Sequence, residues 1–323
     1  MEKLRVLDFD YGCGGFTKGL EDSGLFEVVY NGSINEKNKV CYNNVHKNNF
    51  SEEDIMPKNP DLVVFTPNLG DKLNKIGRSN FIESQLNNFT ALATLYDFDN
   101  LIFITSREAI PVLQFSNKVL YTNDGNPTKD VISCRLIELG YNTFNFVLDA
   151  AGFGLPQHKY YNLYWASKNS DKSIFIKEGF GLYKRKYRQV QHVIGDIRDD
   201  SDLTWHNPNY SKKDFCSLVV PGGKASSTKL LPQTVGYVRL DANEMAPSLS
   251  YDFYNVSSKS PSINPWYDRP LTIREGARLF GLTDDFTWDV KLKNYEVGMM
   301  IYNSFYPVIS RLMSKKIANL IKK

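Results

Sequence analysis

Short apolar runs and stretches with helical spacing take turns along the first half of the chain. Leu4-Arg5-Val6-Leu7-Asp8-Phe9 predicts a strand that ends in the turn Gly12-Cys13-Gly14-Gly15, and Phe16 to Leu20 then has helical spacing. Glu27 to Tyr30, Asp61 to Phe65 and Leu101 to Ile104 read as further strands, with a helix from Phe81 to Leu95 between the last two. Arg135 to Leu139 reads as a helix closed by Gly140, and Phe144 to Leu148 as a strand. Such alternation predicts an α/β fold: a mostly parallel sheet with helices on both faces. From about residue 167 the periodicity weakens and aromatic-rich pieces alternate with turns such as Pro221-Gly222-Gly223. Helical spacing returns from Leu271 to Leu279 and from Glu296 to Ile321, where Ile309, Leu312, Met313 and Ile317 share a face. The expected organisation is a large domain over 1–166, a smaller irregular domain over 167–289, and a C-terminal helix in 290–323 that returns to the large domain.

Composition narrows the class. The 323 residues are 42% hydrophobic and 23% charged, which excludes wholesale disorder. No run reaches the roughly 18 apolar residues of a membrane span, and the N-terminus lacks the apolar core of a secretion signal, so a cytoplasmic protein is expected. Cys13, Cys41, Cys134 and Cys216 are far apart and form no CxxC pair. That spacing points to reduced thiols and to no metal site. A net charge of +3 neither demands nor excludes nucleic acid.

A glycine turn between a strand and a helix is where an α/β sheet takes a nucleotide, because backbone can approach the ligand there. A tight turn that serves only packing is the competing reading. Further segments carry a resemblance. Leu7-Asp8-Phe9-Asp10-Tyr11-Gly12-Cys13-Gly14-Gly15-Phe16 resembles the first motif of DNA cytosine-5 methyltransferases, D-L-F-x-G-x-G-G-F. Gly154-Leu155-Pro156-Gln157 is similar to that family's G-V-P-Q, and Arg269-Pro270-Leu271-Thr272-Ile273-Arg274-Glu275-Gly276-Ala277-Arg278-Leu279 to its R-P-L-T-x-R-E-x-A-R-L. Val193 to Ile197, Pro221-Gly222-Gly223 and Arg239 to Leu249 fall in order between them, and Val297-Gly298 opens a match to the last motif. The resemblance covers nearly the whole chain. It implies a Rossmann-like S-adenosylmethionine-dependent methyltransferase fold with a target-recognition-like second domain.

In that family a cysteine thiolate attacks C6 of a flipped cytosine, a glutamate holds N3 and an arginine steadies the adduct. The nucleophile lies in a P-P-C-Q turn, and here the turn reads Thr66-Pro67-Asn68-Leu69. Asn68 stands where the cysteine belongs, and an amide has no thiolate form. Glu108, in Glu108-Ala109-Ile110-Pro111, matches the E-N-V glutamate if the alignment slips; otherwise Thr105 takes that place. Lys159 and Tyr161 replace the two arginines of R-x-R, and neither reproduces a bidentate guanidinium. Met299 replaces the asparagine of the last motif.

For the cofactor, the resemblance implies Asp8, Gly12, Gly14 and Gly15. It puts Asp10 in place of a stacking phenylalanine, with Tyr11 beside it. Ser33 stands where an acid would hold the ribose, with Glu36 about one turn further on, and Asp54 matches the acid beside the adenine amine. The departures at Asp10 and Ser33 count against S-adenosylmethionine binding, and solvated loop is the competing reading. Lys184, Arg185, Lys186 and Arg188 with Tyr183 and Tyr187, and Lys224 beside Pro221-Gly222-Gly223, suit a phosphate-tracking surface or a solvated face. The combined departures imply a methyltransferase-like protein without catalysis, kept for DNA or for a protein partner such as an active methyltransferase or a restriction-modification component. The alternatives are an enzyme with altered chemistry and a subunit completed by another chain.

Overall fold

The computed structural model describes residues 2–10, 12–66, 75–106, 120–121, 127–128, 130–169, 185–197, 216–217, 219–222, 224–225, 237–255 and 262–322. It divides into two compact units. The first comprises 1–149, 160–183 and 303–323, the second 150–159 and 184–302.

The first unit is built on a six-stranded sheet. Its strands are β1 (Leu4–Asp10), β2 (Phe26–Asn31), β3 (Leu62–Thr66), β4 (Asn100–Ser106), β7 (Asn142–Asp149) and β8 (Tyr160–Ser167), in the order β2-β1-β3-β4-β8-β7. Five strands run parallel, and β8 is antiparallel to both neighbours. A two-stranded ribbon, β5 (Leu120–Tyr121) and β6 (Pro127–Thr128), lies between β4 and β7 in the chain. The central strands carry apolar runs, and Leu62 to Phe65 and Leu101 to Ile104 are all buried, as strands covered on both faces must be.

Four helices intervene: α1 (Gly15–Glu21), α2 (Lys39–His46), α3 (Lys75–Tyr96) and α4 (Val131–Glu138). The chain steps from β1 to β2 in one direction and from β3 to β4 in the other, so right-handed crossovers put α1 and α3 on opposite faces. The direction reverses between β1 and β3, which makes their carboxyl ends the place where such a sheet takes a ligand.

The expected helix over 296–321 is two helices: α7 (Asn294–Asn303) and α8 (Pro307–Ile321). Pro307 is the reason. It has no N–H to continue a helix and a φ suited to starting one. The buried face of α8, Ile309, Ser310, Met313, Ser314 and Ile317, packs on α1. Among the elements unread in the sequence are α2 and β8. The α2 helix has little apolar content, and β8 lacks alternation because seven of its eight residues are buried.

The second unit has short elements: α5 (Gln191–Ile194), a three-stranded sheet of β9 (Lys224–Ala225), β10 (Tyr237–Arg239) and β11 (Ser262–Ile263), and α6 (Ile273–Leu279). Polar hubs tie its connections together. Buried Arg239 donates to the carbonyls of Cys216, Val219 and Asn264 and to the Asp268 carboxylate. Buried Gln157 donates to Leu279 O (2.9 Å) and accepts from Leu249 N (3.2 Å). Thr272 and Glu275 form a reciprocal capping box at the start of α6. Glu275, fully buried, also takes both terminal nitrogens of Arg269 (2.8 and 2.9 Å) and the Asn264 amide (2.8 Å). Removing one member of such a pair strands the other charge out of water. Glu275→Ala is therefore expected to lower unfolding free energy by about 3–5 kcal/mol, checked by urea denaturation monitored by circular dichroism; a loss below about 1 kcal/mol, the scale of an exposed pair, would contradict this role.

Candidate functional site

The glycine turn is closed in by protein on several sides. Gly14 is the N-cap of α1 with φ +72°, a conformation that suits glycine. A Cβ there would lie 2.5 Å from both His46 Nε2 and the Tyr42 ring. At Gly15 a Cβ would meet the Phe305 carbonyl oxygen at 1.9 Å. Cys13 N donates to Ser304 Oγ (2.8 Å), and Phe16 packs edge-on against Phe305 with centroids 5.1 Å apart. Gly14 and Gly15 are thus required by packing, which is the competing reading of the motif. That requirement leaves ligand approach elsewhere along the turn open.

Beneath the turn lies a buried polar cluster. Asp8, wholly buried, accepts at Oδ2 from Thr17 Oγ1 and from the Tyr42 hydroxyl, while Oδ1 has no hydrogen-bond partner. Burial pushes its carboxyl up to about 6, against the opposing pull of those two bonds and of His46. His46 stacks on Tyr42 (4.2 Å, 27°) and meets Glu21 Oε2 through Nδ1 at 2.6 Å. Glu21 in turn accepts from Val28 N (2.9 Å). His46 Nε2 is buried and has no hydrogen-bond partner.

At the carboxyl ends of the neighbouring strands, Asn31 Nδ2 and Thr66 Oγ1 are likewise buried without a partner. Asn31 pairs in register with Asp8, and Thr66 with Asp10. Ser33 is turned inward, its N and Oγ both donating to Asn31 Oδ1 (2.8 and 3.0 Å). Glu36, in the loop before α2, is exposed. Asp54 accepts from Ser51 N and Oγ (2.8 and 3.1 Å), and next to it Ile55 is 91% exposed, an apolar side chain held out into water. The exposed Glu36 and Ile55, with the unpartnered polar atoms of Asp8, Asn31 and Thr66 on β1, β2 and β3, are the kinds of group that suit a ligand with hydroxyls and an aromatic ring, as S-adenosylmethionine has.

Of the positions compared with the family's catalytic residues, Lys159 is 2% exposed. Its ammonium donates to Tyr302 O (2.7 Å) and lies over the rings of Tyr302 (3.9 Å) and Phe280 (4.7 Å), a cation–π seat. Tyr161, in the first unit, is buried against Phe305 and Tyr306, with its hydroxyl 3.4 Å from Ser304 O. Gly298 and Met299 are buried in α7, and a Cβ on Gly298 would meet Tyr251 O at 2.3 Å. Tyr11, Asn68, Glu108 and Lys184 lie outside the described residues; Asp10 and Lys224 are placed in β1 and β9 by their backbones. Arg185, Lys186 and Arg188 are exposed, with Arg185 N anchored to Gly152 O (2.9 Å) and the Arg188 guanidinium donating to His192 O. All four cysteines are free and buried, and burial pushes the Cys216 thiol up to about 11. Among the described residues no three His, Cys, Asp or Glu side chains group so as to hold a metal, and no helix is long and apolar enough to cross a membrane.

Comparison with known proteins decides the kinship: residues 117–319 match the model of the C-5 cytosine-specific DNA methylases. The chain belongs to that family. Its fold is accordingly the Rossmann-like methyltransferase class, and the family's reaction uses S-adenosylmethionine and DNA. M.MJ0563P of Methanocaldococcus jannaschii, assigned to the type II methyltransferases, is 23% identical over 97% of this chain and 99% of its own. The type II methyltransferase M.Eco47II of Escherichia coli is 24% identical over 98% of this chain and 79% of its own. A solved Escherichia coli prophage structure, described as a DNA modification methyltransferase, superposes with TM-score 0.66 at 16% identity over 99% of this chain and 100% of that one.

Tyr42, His46, Glu21, Thr17 and Ile55 were not singled out from the sequence of this methylase-family chain. The available signal was the i, i+4 spacing of Tyr42 and His46 in a helix that was not recognised. The raised Asp8 carboxyl gives a pH prediction. Because the folded pKa exceeds the unfolded one, Asp8 favours folding at low pH, and that contribution is lost as pH rises from about 4 through about 6. Asp8→Asn should remove this component, so the wild-type-minus-variant difference in unfolding free energy should fall by about 3 kcal/mol across that window, at 1.36 kcal/mol per unit. Parallel wild-type and variant curves of urea midpoint against pH would contradict it.

Proposed function

We propose that this methylase-family chain no longer transfers a methyl group by thiolate addition to cytosine, and that it serves by binding DNA or a protein partner such as an active methyltransferase or a restriction-modification component. The observation that carries the reading is Asn68 in the nucleophile turn. Cys13, Cys41, Cys134 and Cys216 are all buried, and burial pushes the Cys216 thiol up to about 11, away from the thiolate form at neutral pH. In place of the arginine pair, the Lys159 ammonium is held by the Tyr302 carbonyl and ring, and Tyr161, which carries no positive charge, is buried against Phe305. The exposed Arg185, Lys186 and Arg188 support contact with phosphates.

Purified protein incubated with DNA and S-adenosylmethionine is expected to form no 5-methylcytosine by mass spectrometry, and Asn68→Cys alone is expected to form none either; methylation by either would overturn the reading. Duplex binding is expected to weaken with salt, and the Arg185→Ala/Lys186→Ala double variant to lower the slope of log K against log salt by about 2, near 0.9 for each phosphate no longer neutralised. An unchanged slope would remove these residues from the DNA surface.

A second reading, a living enzyme with altered chemistry, is favoured by Glu36, the uncovered Ile55 and the orphan polar atoms, which fit a nucleoside cofactor. There Asn68 would hydrogen-bond a base rather than attack it. Calorimetric titration with S-adenosylmethionine separates the two: micromolar binding moves this second reading to the front, and absence of heat leaves a DNA- or protein-binding chain.

A further inference from the structure

We propose that the second unit carries a surface for an unpaired nucleic-acid strand, on which Trp266 stacks with a base while Arg185, Lys186 and Arg188 take the phosphates. The basic residues rest on the DNA-binding reading above; the class of nucleic acid and the part played by Trp266 go beyond it.

Trp266 leaves a large apolar ring in water. It is 45% exposed, between buried Pro265 and half-buried Tyr267. Among the described residues its indole makes no hydrogen bond and no ring contact. The turn that carries it is nevertheless fixed from within. Asn264 Oδ1 accepts from Trp266 N (2.8 Å) and Tyr267 N (3.0 Å). The Asn264 amide donates to the buried Glu275 carboxylate (2.8 Å), which pairs with Arg269, and the Arg269 guanidinium lies over the Tyr267 ring at 5.1 Å. Arg239 holds the same turn through Asn264 O (3.0 Å), Tyr267 O (3.3 Å) and the Asp268 carboxylate. A ring whose place is set in advance by a buried ion pair and a second guanidinium loses little freedom when a ligand covers it.

The cations stand on a strap joined to that turn by one backbone segment. Arg185, Lys186, Tyr187 and Arg188 are all exposed. The strap is tied at both ends, through Arg185 N to Gly152 O (2.9 Å) and through Val190 N and Gln191 N to Glu244 O and Ala242 O (3.0 and 2.9 Å). Ala242 is three residues from Arg239, at most about 11 Å of extended chain. Arg239 in turn holds the Trp266 turn and donates to Cys216 O and Val219 O, beside Val220, which is 68% exposed. Among the described residues no carboxylate pairs with the strap's three cations; Arg188 donates to a carbonyl, that of His192. Of the nearby acids, Asp268 is answered by Arg239 and Asp241 accepts from Asn243 N, which leaves the exposed Glu244.

Open aromatic faces beside unpaired cations suit a single strand better than a duplex. A paired base hides its faces in the stack and shows only edges, which are read by a helix or ribbon laid in a groove. Among the described residues of the second unit, α5 is one turn of four residues, and neither α6 nor the second unit's part of α7 has an exposed residue. An unpaired strand offers base faces to a ring and phosphates to cations, whatever its sequence.

Fluorescence anisotropy on the full chain tests this with three dye-labelled probes of about 20 nucleotides, longer than the roughly 4–16 that one such surface covers: oligo-dT, oligo-U and the dT·dA duplex. An unpaired strand is expected to bind between about fivefold and about 150-fold tighter than the duplex, the weight of one stacked base. Trp266→Ala should erase that margin, leave duplex affinity unchanged and leave the single-strand salt slope unchanged, whereas Trp266→Phe should keep most of the margin. The Arg185→Ala/Lys186→Ala double variant should lower the single-strand slope by about 1.4, near 0.7 for each phosphate. A preference for oligo-dT or for oligo-U assigns the strand to DNA or to RNA and supports the proposal in either case. Duplex bound as tightly as the single strands by wild type overturns it while the DNA-binding reading stands, and so does a Trp266→Ala variant that keeps the full margin. Binding of none of the three probes overturns both. If circular dichroism shows that Trp266→Ala does not fold, the wild-type comparison of strand with duplex still decides.

Discussion

How closely two backbones can approach at the start of α1 sets the rest of the first unit. The Phe305 carbonyl occupies the space a Gly15 side chain would fill, and Pro307 O and Ser310 do the same at Gly19, where a Cβ would lie 2.0 Å from the former. With both glycines present, α8 lies against α1 along its uncharged face, and Ser304 reaches the turn through the Cys13 amide. The chain's last segment is therefore part of the wall behind its first turn. The break between α7 and α8 serves the same end, because the three residues before Pro307 supply Ser304, Phe305 and Tyr306 to that wall.

The same constraint separates what packing demands from what chemistry demands. Family motifs that persist in this chain are largely explained by packing and buried polar bonding: Gly14 and Gly15 by close approach, Gln157 by its bonds to Leu279 and Leu249, Arg269 and Glu275 by their mutual pairing, Thr272 by the capping box. The sequence departs from the family pattern at Asn68, Lys159, Tyr161 and Met299, and also at Asp10 and Ser33 among the positions matched to the cofactor. Lys159 and Tyr161 do not leave holes; a cation–π seat and an aromatic cluster hold them.

The fold class was legible because β1, β3 and β4 are short, strongly apolar runs and Gly140 ends a helix with φ +85°, signals carried by single segments. What escaped depended on partners distant in sequence. The α2 helix is only eight residues long, and its buried face, Cys41, Tyr42, Val45 and His46, mixes apolar side chains with a tyrosine and a histidine that serve a polar cluster. The burial of β8 on both faces erases alternation. The site was half legible. Asp8 and the glycines announce themselves by motif, whereas Glu21 and His46 come together from 25 positions apart, a pairing that local pattern cannot reveal. Ser33 was matched to the acid on sequence position alone; its N and Oγ both donate to Asn31, and Glu36, further along the same loop, is exposed.

The central claim, that this chain cannot add a thiolate to cytosine, is tested most directly by trapping. A DNA duplex with 5-fluorocytosine in place of cytosine, incubated with the protein and S-adenosylmethionine, captures an enzyme that adds sulfur to C6, because the fluorine blocks the elimination that would release it. The account predicts no adduct stable to denaturant by intact-mass spectrometry. A covalent complex that maps to Cys13, Cys41, Cys134 or Cys216 would contradict it.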